Sequence, residues 1–327
     1  MIPFSLHASG YTPRIQRFPM RRIPAVSSYS LWLQYDRVDP VDAEFLPNHA
    51  PITPSSLPWK TQAAQWWHTN RMMTGAREAQ LMEAANLLLN ARRTVDPMID
   101  LPVELQPTTM DEAYFVQDTM AVAYGTIGGW KIGAPTPEAS PMFAPMPAIW
   151  IRPGGALLGA ATHRYRGLEA EIAFLVGHDL PVRATPYTRE EVIAAIASCH
   201  PVIEELESAL VDPAAAVKLS MVADMQMHGG FIYGPAFTDW KSIDFTKEHV
   251  SLAIDGVVRV ERTGSNTSGD FLRLLPWLAN EGSARTGGLR AGQWITTGSW
   301  TGNVQAIAAT SVEVRFSTAG IVELRFE

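Results

Sequence analysis

LEAEIAFLVG, residues Leu168–Gly177, is an apolar run interrupted near its start by two acids. Read as a strand, it puts Glu169 and Glu171 on one face, because residues i and i+2 project the same way. Two carboxylates that close repel, and at least one keeps its proton unless something positive lies between them. Either the pair faces water or it grips a cation.

Upstream, Ile151–Gly159 reads as a strand, and Gly154–Gly159 (GGALLG) lacks the Lys-Ser/Thr of a phosphate-binding loop. Ala76–Ala91 has apolar residues at helical spacing. Thr109–Glu112 (TMDE) is a capping box opening a helix through Tyr124, where Gly125 can stop it. Downstream, Thr188–Glu191 (TREE) is a second box leading into a helix over Val192–Cys199, and Pro201–Leu206 returns to strand. Val250–Arg262 carries Asp255-Gly256 between apolar runs, a hairpin signal. Val312, Val314 and Phe316 alternate with charges, turn at Thr318–Gly320, and repeat the alternation at Val322, Leu324 and Phe326. Strands dominate the second half, with helices before and between.

Composition narrows the class. A chain of 327 residues, 46% hydrophobic, can bury a full core as one large domain or two smaller ones. A net charge of −7 argues against nucleic acid as a partner. Apolar runs fall far short of the ~20 residues a membrane helix needs. Cys199 is the one cysteine, so no internal disulfide forms and a reducing compartment, the cytoplasm, is the default. It sits in an apolar helical pattern and reads as inert core.

The first seventy residues differ from the rest. They hold 9 of the 24 prolines, six Arg or Lys and four Asp or Glu. Only Ser30–Tyr35 (SLWLQY) reads as a short strand. Such a lead is poor core material, and it lacks the apolar run of a secretory signal. Its prolines fit the amphipathic helix of a transit peptide badly. Residues 1–72 are expected to be a flexible extension, or sequence ahead of a true start near Met72 or Met73, with the catalytic domain spanning 73–327.

Four further stretches could carry chemistry. Pro201–Ser208 (PVIEELES) places Glu204 after a Val-Ile pair, and Glu204 is the natural third carboxylate beside Glu169 and Glu171. Three carboxylates without His or Cys suit a hard divalent ion such as Mg²⁺ or Mn²⁺ rather than zinc; the alternative is an exposed acidic strand face. Gly128–Gly133 (GGWKIG) holds Lys131 inside a glycine-flanked apolar strand, where an ammonium is costly without a partner. Lysine there can act as acid or base, or hold an anion, unless it snorkels to the surface. Thr296–Trp300 (TTGSW) offers hydroxyls and backbone amides on a tight turn that can hold a carboxylate. The histidines show no HxxxH or HExxH spacing; a place near the site is open to His163 and His228, but loop or packing roles are the first reading. No GxSxG elbow supports serine hydrolase chemistry.

GWKIG, LEAEIAFLVGHDL, PVIEELES, VADMQMHGG and ITTGSW occur in an order and at spacings that resemble the 2-keto-4-pentenoate hydratase branch of the fumarylacetoacetate hydrolase superfamily. That branch includes 2-oxo-hex-3-enedioate decarboxylases, and the resemblance covers about residues 76–327. It implies an α+β fold, a mixed sheet rolled into a barrel-like core with flanking helices. It implies that Glu169, Glu171 and Glu204 bind one Mg²⁺ or Mn²⁺, a Lewis acid chelating the 2-oxo and carboxylate oxygens of the substrate. Lys131 would hold or protonate the dienol, with Asp224 and the Thr297-Gly298-Ser299 turn lining the pocket around the substrate carboxylate.

The chain departs from the family pattern at three places. Phe143-Ala144-Pro145-Met146 has Pro145 where an aspartate is usual, which removes an acidic neighbour and should lower the pKa of Lys131 relative to the family's usual arrangement. Ala223–Met227 (ADMQM) has lost two small polar groups to methionine, and Gly269-Asp270-Phe271 replaces a GHP-like motif. The resemblance implies a metal-dependent lyase acting on a short 2-hydroxydienoic or 2-oxo acid, by hydration first and decarboxylation second. A C–C bond hydrolase ranks third, and a non-catalytic oligomeric subunit is the reading from another class. A homo-oligomer is expected, with a pathway enzyme as a conceivable partner.

Overall fold

Apolar residues three and four apart build the first layer. In the computed structural model, which describes residues 75–327, helix α1 (Gly75–Thr94) buries Leu81, Ala84, Ala85 and Leu88 against Ala113, Val116 and Met120 of helix α2 (Met110–Tyr124). The expectations for residues 1–72, Ser30–Tyr35 and a start near Met73 lie outside the described residues. The Thr109 hydroxyl caps α2 by accepting from the Glu112 amide at 3.2 Å, and Gly125, at φ +93°, ends the helix. The expected box is half made. Glu112 turns to the Thr108 amide and to Arg77, 2.6 Å away, and so ties α2 to α1.

The strands follow in chain order: β1 (Ile127–Gly133), β2 (Met142–Pro147), β3 (Ile151–Pro153), β4 (Ala156–Leu158), β5 (Gly167–Val176) and β6 (Leu180–Pro181). Helix α3 (Arg189–Ala195) leads into β7 (Ile196–Leu206), and α4 (Lys218–Ala223) precedes β8 (His228–Tyr233). Then come β9 (His249–Ile254), β10 (Val257–Thr263), β11 (Gly288–Leu289), β12 (Trp294–Thr296), β13 (Val304–Gln305), β14 (Ser311–Phe316) and β15 (Gly320–Phe326). A mixed eight-stranded sheet runs β2-β1-β12-β5-β7-β8-β3, with β13 also on β5, and a mixed five-stranded sheet runs β10-β9-β14-β15-β4. The core fills with Leu168, Ile172 and Phe174 of β5, Leu252 of β9, Val314 of β14 and Leu324 of β15. Each such side chain contributes about 1.5–3 kcal/mol by leaving water.

The α+β class and both predicted hairpins are present. Three details differ from expectation. Among the described residues no closed barrel forms, because the large sheet ends at β2 and β3 without pairing them. The single strand expected over 151–159 divides at Gly154-Gly155 into β3 on the large sheet and β4 on the small one. Gly155, at φ +83°, makes that turn. The helix expected to reach Cys199 stops at Ala195, because β7 pairs with β5 from Ile196 onward and that pairing overrides the local helical pattern. Cys199 is still buried, and desolvation pushes its thiol up to about 12, so it stays protonated.

Candidate metal centre

Register assembles the site. Strands β5 and β7 are antiparallel with Glu169 opposite Glu204, so Glu169, Glu171 and Glu204 share one face of the sheet. Their nearest carboxylate oxygens all lie within 4.8 Å of one another. On the opposite face of β5, Leu168, Ala170, Ile172 and Phe174 enter the core. Strand β12 lies between β5 and β1, and its parallel pairing with β1 sets Lys131 beside Thr296. Gly129 permits that approach: a Cβ there would come within 2.5 Å of the Trp294 carbonyl oxygen. The ammonium of Lys131 then reaches Glu204 Oε1 at 2.6 Å and donates to the Gln226 carbonyl at 3.1 Å.

Three carboxylates, Glu171 and Glu204 buried and Glu169 half-buried, answered by one ammonium carry excess negative charge. Burial, then repulsion from Glu204, raises the Glu169 carboxyl to about 6, although Lys131 and a Ser299 hydrogen bond work the other way. Burial and both neighbouring acids push Glu171 well above the usual range. Its Oε2 accepts from the Thr296 hydroxyl and from the Gly298 amide at 3.0 Å. Burial acts on Glu204 as well, but the charge of Lys131 and the His228 hydrogen bond outweigh it and hold this carboxyl down at about 2. Burial lowers Lys131 and the three acids more than offset that, so its pKa rises. By register Ala144, not Pro145, faces with Lys131, and Pro145 shares the Trp130 face. A carboxylate at 145 would emerge away from the ammonium.

A cavity of about 550 Å³ opens over the cage. Lys131, the three glutamates, Gly298 and Ser299 line it; Asp224 and Thr297 do not. The carboxylate of Asp224 is taken by Arg92 at 2.6 Å, by the Ser208 hydroxyl at 2.7 Å and by the Ala209 amide at 2.8 Å. The hydroxyl of Thr297 donates to the Ile172 carbonyl, and the amide of Gly298 serves Glu171. These residues hold up the cage from behind.

Gln226, Arg92 and Arg262 were not among the residues expected around the cage, and His228 was expected first as a packing residue. The Gln226 carbonyl steadies Lys131 because Met225, Gln226 and Met227 stand at φ 54°, 49° and 64°, three consecutive non-glycine residues in the left-handed region. Such a run costs roughly 1–2 kcal/mol per residue. Buried Arg92 clamps it, donating to the Asp224, His228 and Glu207 carbonyls at 2.8–3.0 Å. Nothing in the local sequence signals that conformation. His228, fully buried, bonds Glu204 Oε1 through Nδ1 at 2.8 Å, and burial lowers its pKa. Arg262 lines the cavity from β10.

A model of the fumarylacetoacetate (FAA) hydrolase C-terminal family matches residues 123–327. The chain belongs to this family. Within it, a 2-hydroxyhexa-2,4-dienoate hydratase of Comamonas testosteroni is 29% identical over 158 residues, 48% of this chain and 59% of that protein. The chain thus spans about three-fifths of the length of that curated relative. Two structures of 4-oxalocrotonate decarboxylase from Pseudomonas putida G7 superpose with TM-scores of 0.68 and 0.67 at 25% and 26% identity. Each covers 78% of this chain and 99% of the decarboxylase. One is complexed with magnesium and adipate, the other with calcium and acetate. These likenesses put the chain in the hydratase and decarboxylase branch of the FAA hydrolase family.

The residues present fit a divalent ion. All three donors are carboxylates, their oxygens converge, the charge excess is unrelieved, and buried Glu204 Oε2 has no hydrogen-bond partner. No helix among the described residues is long and apolar enough to cross a membrane.

Proposed function

We propose that the protein is a lyase that uses Mg²⁺ or Mn²⁺ to act on a short 2-oxo or 2-hydroxydienoic acid, with hydration of a 2-hydroxydienoate as the first reading. One observation carries it. The three-glutamate cage and the Lys131 ammonium open together into one cavity. Glu169, Glu171 and Glu204 would hold the ion, which when bound supplies Lewis acidity to a 2-oxo acid. Gly298 and the Thr296 hydroxyl orient Glu171, and Ser299 orients Glu169. With its pKa raised, Lys131 stands ready as the ammonium, so its Nζ is placed to give a proton to the dienol carbon chain. Asp224 acts at a distance, through Arg92 and the left-handed run that aims the Gln226 carbonyl at Lys131.

Decarboxylation of a 2-oxoenedioate is the second reading, supported by the likeness to 4-oxalocrotonate decarboxylase over 78% of the chain. Hydrolysis of a C–C bond has less support, because His228 is spent on Glu204 and does not line the cavity. A cytoplasmic homo-oligomer in the catabolism of aromatic compounds suits this reading.

The test is direct. Full-length protein with Mg²⁺ should deplete the dienol absorbance of 2-hydroxypenta-2,4-dienoate. If it instead releases CO₂ from 2-oxohex-3-enedioate, the second reading replaces the first. Inertness towards a panel of such acids would leave the non-catalytic subunit.

A further inference from the structure

Two cations line the cavity, Lys131 and Arg262. Lys131 is committed to Glu204. The side chain of Arg262, exposed on β10, makes one hydrogen bond, from Nη1 to the carbonyl of its neighbour Glu261 at 3.0 Å. Other arginines of the described chain divide between carboxylates, as Arg92 with Asp224 and Arg285 with Asp118, and carbonyls or solvent, as Arg166 and Arg273, but none of these lines the cavity. Arg262 has no carboxylate partner among the described residues.

The strand end that carries it is fastened to the site. Three residues on, the Ser265 hydroxyl donates to the Trp300 carbonyl at 2.7 Å. Asn266 donates to the Thr297 and Gly298 carbonyls at 2.9 and 3.0 Å. Thr267 donates across to Ala134 at the end of β1. The loop after β10 therefore grips both sides of the mouth, and the base of Arg262 is held in fixed relation to the cage.

Charge says what such a guanidinium would meet. Three carboxylates, one ammonium and a divalent ion sum to zero. A 2-oxo acid adds one negative charge at the cage, and a dicarboxylate brings a second that the cage cannot balance. A guanidinium at the rim can take that second carboxylate through paired N–H donors. We infer that Arg262 binds the distal carboxylate of a 2-oxo dicarboxylic acid and selects dioates over monoacids of equal length. This inference rests on the reading of the cage as a 2-oxo acid site, and within that reading it favours the enedioate of the second reaction over the monoacid dienoate of the first.

The full chain loaded with Mn²⁺ should be titrated calorimetrically with 2-oxoadipate and with 2-oxohexanoate. Wild type should bind the dioate about tenfold more tightly, the scale of one charge-assisted pair. Arg262→Gln should abolish the preference and Arg262→Lys should keep part of it, while both leave Mn²⁺ and 2-oxohexanoate affinity unchanged. Equal binding of the two acids by wild type, or an unchanged preference in Arg262→Gln, would overturn the inference and leave the site reading standing. If neither 2-oxo acid binds better than hexanoate, the site reading itself falls and takes this inference with it.

Discussion

Glu204 and Glu205 are neighbours on β7, both fully buried, and they face opposite sides of the sheet. Glu204 shares its space with two more carboxylates, and Lys131 and His228 serve it, beside an open cavity. Glu205 faces the core side, where His163 Nδ1 lies 3.0 Å away and Gly229 packs so closely that a Cβ would collide with the carboxylate. Burial of an acid is common to both. The difference lies in access: one face gathers three carboxylates around one ammonium beside a cavity, while on the other Glu205, with Glu207 near it, is enclosed against His163 and Gly229. Excess charge with access distinguishes a binding site from a structural ion pair.

The largest effect expected from that contrast is on metal affinity. Glu204→Ala should weaken Mn²⁺ binding by about a thousandfold, since one of three anionic ligands is lost. It should leave the protein folded, because it also relieves repulsion in the cage. Glu205→Gln should leave Mn²⁺ affinity within about threefold and instead lower stability by about 3 kcal/mol, the cost of stranding one member of a buried pair. Titrating Mn²⁺ by electron paramagnetic resonance, with thermal melts alongside, checks both. Loss of Mn²⁺ binding in Glu205→Gln would break the contrast.

Next in size is Lys131→Met. The rate on whichever acid proves to be the substrate should drop at least ~10²-fold, as for loss of a general acid. Mn²⁺ should bind no more weakly than in wild type, because the ammonium competes with the ion for Glu204. Weaker Mn²⁺ binding would mean that Lys131 builds the cage rather than serving the reaction.

How far this could be seen in advance depended on whether a residue's role follows from period or from distant packing. The i, i+2 spacing exposed Glu169 and Glu171, and the glycine-flanked strand exposed Lys131. Face alternation misled at Pro145: its proximity to Lys131 in the family pattern did not reveal that β2 presents Ala144 on that side. Asp224 and Thr297 carry polar groups that look available in a linear chain, yet both are consumed by tertiary hydrogen bonds. The left-handed run Met225–Met227 has no glycine to announce it, and Arg92, whose four hydrogen bonds surround that run, comes from a helix more than 100 residues earlier. The helix-to-strand change at Ile196 was hidden because local spacing favoured helix and only pairing with β5 decided otherwise.

The two faces should also differ in their response to pH. Glu169, at about 6, and Glu171, which burial and its two acidic neighbours also raise, lie above the ordinary 4.5 of an unfolded glutamate. A raised folded value means that the stability these groups contribute is present below about 4.5 and is lost as pH climbs through 6 and beyond. Metal-free protein should therefore lose Tm from this source between pH 5 and pH 8. Mn²⁺ competes with those protons, so the rise in Tm on adding it should be several degrees greater at pH 8 than at pH 5. Calorimetry with and without Mn²⁺ reads the difference, and Glu204→Ala should erase it while Glu205→Gln keeps it. An equal Mn²⁺ effect at both pH values would show that the cage carries no extra protons.

The smallest expected effect isolates one hydrogen bond. Ser299 lowers the pKa of Glu169 by bonding its carboxylate, against burial and the charge of Glu204. Ser299→Ala removes that bond, so the Glu169 value moves further up from about 6. Near pH 6 a smaller share of Glu169 is then ionised, and Mn²⁺ affinity should fall about two- to threefold, the scale of a few tenths of a pKa unit. By pH 8 the carboxylate is ionised with or without the serine, and the two proteins should bind Mn²⁺ alike. The change is small, but its dependence on pH has a definite sign. A deficit of the same size at pH 8 would mean that Ser299 shapes the cage by sterics, and the electrostatic account of this face would lose its most sensitive support.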